Sequence, residues 1–196
     1  MTDTKRCALI YGSCTGKTED VSEILAEAFL PELELVVVDI ASLEPKDLNQ
    51  FEFVVCGIPT WDVGELEYGW QDVYDNLDGV DLSGLTIAMV GLGDQFNYSE
   101  TYQDAMGILY EKLVECGASG KVGFTSTEGH EFEGSRALID QQFCGLALDE
   151  DNQDELSEGR INRWVSQVKL ELNRIKPELF SIISNSKATE SSTLNG

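Results

Sequence analysis

The stretch YGSCTGKTEDV, residues 11–21, joins a continuous apolar run to an amphipathic one. Before it, Cys7, Ala8, Leu9 and Ile10 are too uniformly apolar to face water, which predicts a buried strand turning at Gly12. After it, Val21, Ile24, Leu25 and Ala28 recur at helical spacing, Glu19 and Asp20 put negative charge in the first turn, and Pro31 closes the helix. Between strand and helix lie three hydroxyls, Ser13, Thr15 and Thr18, alternating with backbone amides that open onto a helix N-terminus. Such a loop cradles an anion. A triphosphate-binding loop G-x-x-x-x-G-K-[ST] needs Gly where Tyr11 stands, so the spacing excludes that motif. Amides and a helix dipole without a paired Arg suit a monophosphate better than a magnesium-linked triphosphate.

The same alternation continues along the chain. Residues 35–38, 53–58 and 85–90 read as further buried strands. Tyr102, Ala105, Met106, Leu109 and Leu113 form one helical face that ends near Cys116 and Gly117. A fifth strand begins at 121–124, is interrupted by a polar insertion, and resumes at 146–148. A last helix carries Ile161, Trp164, Val165, Val168 and Leu172, with Ser157 placed to cap its start. Strands alternating with helices imply an α/β domain whose parallel sheet is covered on both faces, with right-handed crossovers. Ligands then bind beyond the carboxyl ends of the strands. Three loops fall there, at 12–18, 59–70 and 91–102. The second, IPTWDVGE at 58–65, offers the ring of Trp61; the third, GLGDQFNY at 91–98, offers Tyr98 and an acceptor for ring N–H groups in Asp94. The third loop is not a dinucleotide fingerprint, because its G-x-G lacks a third Gly.

The chain has 196 residues, 42% of them hydrophobic, which suits one domain able to bury about two-thirds of its unfolded surface. Acidic residues outnumber basic ones 36 to 13, giving a formal charge of −23. That balance argues against nucleic acid, whose phosphates are held by clustered Lys and Arg, and favours steering of a basic protein partner. The five cysteines form no C-x-x-C pair and are odd in number, which suits a reducing cytosol rather than a disulfide framework or a zinc site. No apolar run approaches the length of a membrane span or secretory leader, so a soluble cytoplasmic protein is expected. Residues 1–176 are expected to be the domain. Residues 177–196, rich in Ser, Asn and Thr, are expected to be a largely disordered tail, with a docking segment at Leu179, Phe180, Ile182 and Ile183 as the alternative.

Across residues 7–172 the sequence resembles flavodoxins, particularly the long-chain type, whose fifth strand carries an insertion. The motifs are YGSCTGKTEDV, IPTWDVGELEYGW, GLGDQFNYSETYQDAMGILYEKL and GLALDEDNQDELSEGRINRWVSQ. The resemblance implies a three-layer α-β-α sandwich with a five-stranded parallel sheet in the order 2-1-3-4-5. It also implies noncovalently bound flavin mononucleotide (FMN) cycling single electrons through a semiquinone. Ser13, Thr15 and Thr18, with the amides of Cys14, Gly16 and Lys17, would then hold the phosphate. Trp61 and Tyr98 would sandwich the ring, and Thr60, with Pro59 beside it and Asp151, would follow the ribityl chain. Asp62, Val63, Gly64, Leu92, Gly93 and Asp94 would lie at the ring edge, acting largely through backbone groups.

Several positions depart from the family pattern. Ser13 stands where Thr is common, Cys14 puts an oxidisable thiol in the phosphate loop, and Leu92 replaces a frequent Thr. Asn97 replaces a frequent Gly at a bend, where its tolerance of positive φ would preserve the turn. His130, the chain's single histidine, is expected to pack at the surface and can complete no metal cluster. The resemblance implies a low-potential carrier rather than an enzyme. Its partners would be basic proteins, such as a ferredoxin/flavodoxin–NADP reductase, and acceptor enzymes, met transiently by a monomer through Glu65, Glu67, Asp72 and Asp75. The alternative is an FMN-dependent NAD(P)H:quinone reductase of related fold. A phospho-receiver domain would need an acceptor Asp after the third strand, and residues 58–60 offer none.

Overall fold

The computed structural model describes residues 7–180. The chain runs through β1 (Cys7–Tyr11), α1 (Lys17–Phe29), β2 (Val36–Asp39), β3 (Phe53–Trp61), β4 (Glu65–Leu66), α2 (Tyr68–Asp75) and β5 (Thr86–Leu92). There follow α3 (Asp104–Glu115), β6 (Thr125–Ser126), β7 (Leu138–Ile139), β8 (Gln142–Phe143), β9 (Gly145–Leu148) and α4 (Asp154–Ile175). Five of these strands form a parallel sheet in the order β2-β1-β3-β5-β9, with β4 folded back antiparallel on the end of β3. Counting the parallel strands in chain order reproduces 2-1-3-4-5.

Side chains alternate across the sheet, so each central strand feeds two cores. Ala8, Ile10, Val54, Cys56, Ile87 and Met89 face the layer of α2 and α3, where Trp70, Ala105, Met106 and Leu109 meet them. Leu9, Val55, Ala88 and Val90 face α1 and α4, against Leu25, Phe29, Ile161, Trp164 and Val168. Each fully buried Leu, Val or Phe contributes about 1.5–3 kcal/mol, so a one-residue slip of any strand would be heavily penalised.

The fifth strand differs from expectation. Residues 121–124 are not extended in the sheet, because Gly123 has φ +82 and its backbone is engaged by α4. Its N–H donates to Glu171 (2.7 Å) and its carbonyl accepts from the Trp164 indole (2.7 Å). Just ahead of the expected segment a single parallel bridge joins Ser119 to Thr86, and the sheet resumes at β9. The intervening insertion has its own antiparallel sheet, β6-β8-β7. It lies so close to α3 that a Cβ at Gly107 would come within 2.2 Å of the Arg136 carbonyl oxygen.

Two further expectations change. α4 starts a turn before Ser157, which is buried inside the helix and donates its hydroxyl to Glu150 rather than capping. At the other end, Pro177–Leu179 form a 3-10 turn, Leu179 is buried and Phe180 packs against the same core. The first residues assigned to the tail thus pack on the domain; the rest of that expectation, Ile182 and Ile183 included, lies outside the described residues.

Candidate functional site

β1 delivers Gly12 to a crowded position. Its N–H donates to the Gly57 carbonyl (3.1 Å), and a Cβ there would meet Glu67 Oε2 at 2.2 Å and Trp70 Cδ1 at 2.7 Å. Beyond it the loop is closed locally: the Gly16 N–H donates to Ser13 Oγ (3.0 Å) and the Asp20 N–H to the Gly16 carbonyl (2.9 Å). No side chain caps the start of α1, so the N–H groups of its first turn are available to an anion.

β3 runs on into Trp61, three residues past the predicted end, and pairs Trp61 with Glu65 across the connection 62–64. Asp62 (φ +41) and Gly64 (φ +91) are left-handed there. Gly64 is also fitted to its surroundings, since a Cβ would lie 2.8 Å from Asp104 Oδ2. Burial pushes the Asp104 carboxyl up, against hydrogen bonding from the Arg136 N–H. Tyr68, 75% exposed, stands 6.2 Å from Trp61 at an interplanar angle of 45°. Glu67, read as a surface charge, is instead buried and caps α2, accepting from the N–H groups of Gly69 (3.0 Å) and Trp70 (3.2 Å). Asp72, Asp75 and Glu65 are exposed.

After β5, Asp94 organises its own loop. Its carboxylate accepts from the N–H groups of Phe96 (3.1 Å) and Asn97 (2.9 Å), the Asn97 amide (2.6 Å) and the Asn152 amide (2.9 Å). Burial raises its pKa, but these bonds outweigh burial and leave it below the usual carboxylate range. The side chain is therefore committed to the loop. Asn97 does not take a positive φ; its bend is held by Asp94 instead.

A cavity of about 310 Å³ opens at these strand ends. It gathers Thr15, Lys17, Thr18, Pro59, Thr60, Trp61, Leu92, Gly93, Asp94, Tyr98 and Asp151 of the predicted residues. Ser13, Cys14, Gly16, Asp62, Val63 and Gly64 do not line it. Ser13 braces the loop from within. Cys14 lies 3.4 Å from Glu67 Oε1, and desolvation followed by that carboxylate raises its thiol pKa, which weakens it as an oxidation site. Lys17 spans the cavity rim to Asp151 (2.5 Å).

Sequence reasoning missed Thr101, Tyr102, Gln103 and Glu150 in the lining. Gln103 is fully buried at φ +64; its amide donates to the Leu148 carbonyl (3.0 Å), while its Oε1 has no partner. Tyr102, read as a helix-face core residue, hydrogen-bonds through its hydroxyl to His130 Nδ1 (2.9 Å). His130 is accordingly half-buried in a cluster with Tyr102 and Phe143, not simply packed at the surface. Behind the wall sits Asp149, fully buried, accepting from Gln95 N–H (3.1 Å) and amide (2.9 Å) and from the N–H groups of Asp151 (3.1 Å) and Asn152 (3.0 Å). An Asp directly after a buried apolar strand, as in GLALD, was the available signal. Among the described residues no group of His, Cys, Asp and Glu could hold a metal ion.

Comparison with known proteins places this geometry. The family model for flavodoxin matches residues 9–164. A flavodoxin of Nostoc sp. is 44% identical over 86% of this chain and 98% of its own length. Flavodoxin 2 of Escherichia coli is 42% identical over 84% of this chain and 95% of its own. The crystal structure of Fusobacterium nucleatum flavodoxin bound to flavin mononucleotide superposes with a TM-score of 0.77, at 31% identity, over 84% of this chain and 97% of that one.

Proposed function

The chain belongs to the flavodoxin family, and we propose on that premise that its cavity binds flavin mononucleotide, phosphate on the 12–18 loop and ring between Trp61 and Tyr98. The observation that carries this reading is one cavity shared by an uncapped helix start and two partly exposed aromatic rings. The residues fit such a ligand: the α1 amides suit its phosphate and the rings its flat head. The protein is an electron carrier rather than an enzyme. Bound there, the flavin supplies the one-electron couple.

The chain's own groups set how that couple behaves. Thr15 and Thr18 add hydroxyls to the amides of Lys17 and Thr18 at the phosphate. Trp61 and Tyr98 exclude water from both ring faces, and their electron-rich faces stack better on an oxidised ring than on a reduced one. Asp94 and Glu150 line the cavity with carboxylates, apart from Asp151, which Lys17 pairs, and this disfavours added negative charge as like charges disfavour ionisation of an acid. For a one-electron couple about 59 mV is a tenfold change, so a few such interactions lower the potential substantially. A backbone carbonyl of the 62–64 loop would accept from a ring N–H; Gly64 would ease the peptide rotation needed, and left-handed Asp62 would restrain it.

Exposed Glu65, paired with Trp61, and exposed Asp72 and Asp75 of α2 suit a basic reductase of the ferredoxin/flavodoxin–NADP type, met through a small, salt-sensitive interface by a monomer. No helix among the described residues is long and apolar enough to cross a membrane. The purified full chain is expected to be yellow and to release flavin mononucleotide on denaturation. Colourless protein that takes up none would overturn the proposal. Trp61→Ala is expected to weaken flavin affinity by about 1–3 kcal/mol, measured by fluorescence titration of the apoprotein.

A further inference from the structure

A second cavity, of about 530 Å³, lies between the insertion and α4 and shares no lining residue with the first. Its wall is polar: Thr125, Ser126 and His130 from the insertion face Arg160, Arg163 and Gln167 from α4. Lys17, Lys46, Lys112, Arg136 and Lys169 each sit in an ion pair; Arg160 and Arg163, like Lys121, Arg174 and Lys176, have no carboxylate partner among the described residues, but they alone of these line this cavity. Arg160 donates one guanidinium nitrogen to the Gly129 carbonyl (3.0 Å), and its Nη1 is buried without an acceptor.

Two costs are thereby left standing. A buried N–H without an acceptor is destabilising, and like charges three residues apart on one helix face repel. An oxyanion between the two guanidinium groups removes both, in the planar geometry that Arg recognises best. Glu128 also lines the cavity and is the competing carboxylate, yet it pairs with neither arginine. The volume is within the range of small-molecule sites, about 300–1,000 Å³. We propose that this cavity is a second binding site, for a small anion bearing a phosphate or carboxylate group.

The test uses the full-length chain saturated with flavin mononucleotide, so that the first cavity is filled. Inorganic phosphate and, separately, citrate are titrated at constant ionic strength while NMR follows the backbone amides of residues 125–130 and 160–167. Saturable shifts confined to those residues are expected, weakened at least about tenfold in Arg163→Gln and lost in Arg160→Gln/Arg163→Gln. Response to phosphate alone assigns a phosphate ester, to citrate alone a carboxylate, and to both the shared oxyanion chemistry. Linear, unsaturated shifts, or saturation unchanged in Arg163→Gln, overturn the proposal. Arg163 is exposed, so that single variant decides the matter even if the double variant does not fold.

Discussion

The loop after β1 and the loop after β5 close the same cavity by opposite means. The first is held by near neighbours in sequence, with Ser13 bracing Gly16 and Gly16 starting α1. The second has local bonds of its own, from Phe96 and Asn97 to Asp94, but is also tied from far away, by Asp149 reaching Gln95, by Asn152 reaching Asp94, and by Gln103 reaching Leu148. A short-range loop needs particular residue types at fixed offsets and little else. A long-range one needs the whole sheet assembled before its polar groups find partners.

The largest effect should come from breaking the long-range loop. Asp149→Ala strands several buried donors at once, and about 3–5 kcal/mol of stability should be lost in chemical denaturation, with flavin affinity falling alongside. A loss no greater than that of a surface substitution would show that the loop after β5 holds itself.

The short-range loop is tested where its start packs on the rest. Gly12→Ala drives a methyl into the Glu67 cap and Trp70, at a cost of about 1–3 kcal/mol. Unchanged stability would mean that the packing beneath the loop is loose.

A third test concerns the insertion's grip on the second loop. Burial, and then the charge of Arg160, lower the His130 pKa from 6.5 to about 4. As pH falls between those values the unfolded chain takes up a proton that the folded chain refuses, so stability declines across that window and is fully retained above it. Measured against the parent, His130→Phe should flatten the decline between pH 6.5 and 4. Identical pH profiles would remove His130 from the account.

The smallest effect belongs to the tie across the rim. Lys17→Met breaks an ion pair whose partners are both about half exposed, so less than about 1 kcal/mol is expected, together with weaker dependence of stability on salt.

The same contrast explains what could be read in advance. The strands themselves and the position of the loop at 12–18 were legible because apolar patterning and helix-start chemistry are local, whereas the strand order came from the family resemblance. His130 was misjudged because it owes its state to a distant tyrosine hydroxyl; Glu67 and Asn97 have near partners, two α2 amides and the Asp94 carboxylate, whose local capping and turn chemistry was overlooked. Residues 121–124 looked like a strand by composition, with nothing local to reveal that Glu171 and Trp164 would claim the backbone of Gly123. Ser157 has a cap's chemistry, but α4 begins earlier and places it inside.

The near contact between Gly107 and the Arg136 carbonyl has a practical corollary for anyone wishing to trim this protein. Excising the insertion would not simply shorten a surface appendage. It would leave a trough along the flank of α3 shaped to receive a peptide backbone, and a minimised version would have to refill that trough with a bulkier side chain at position 107.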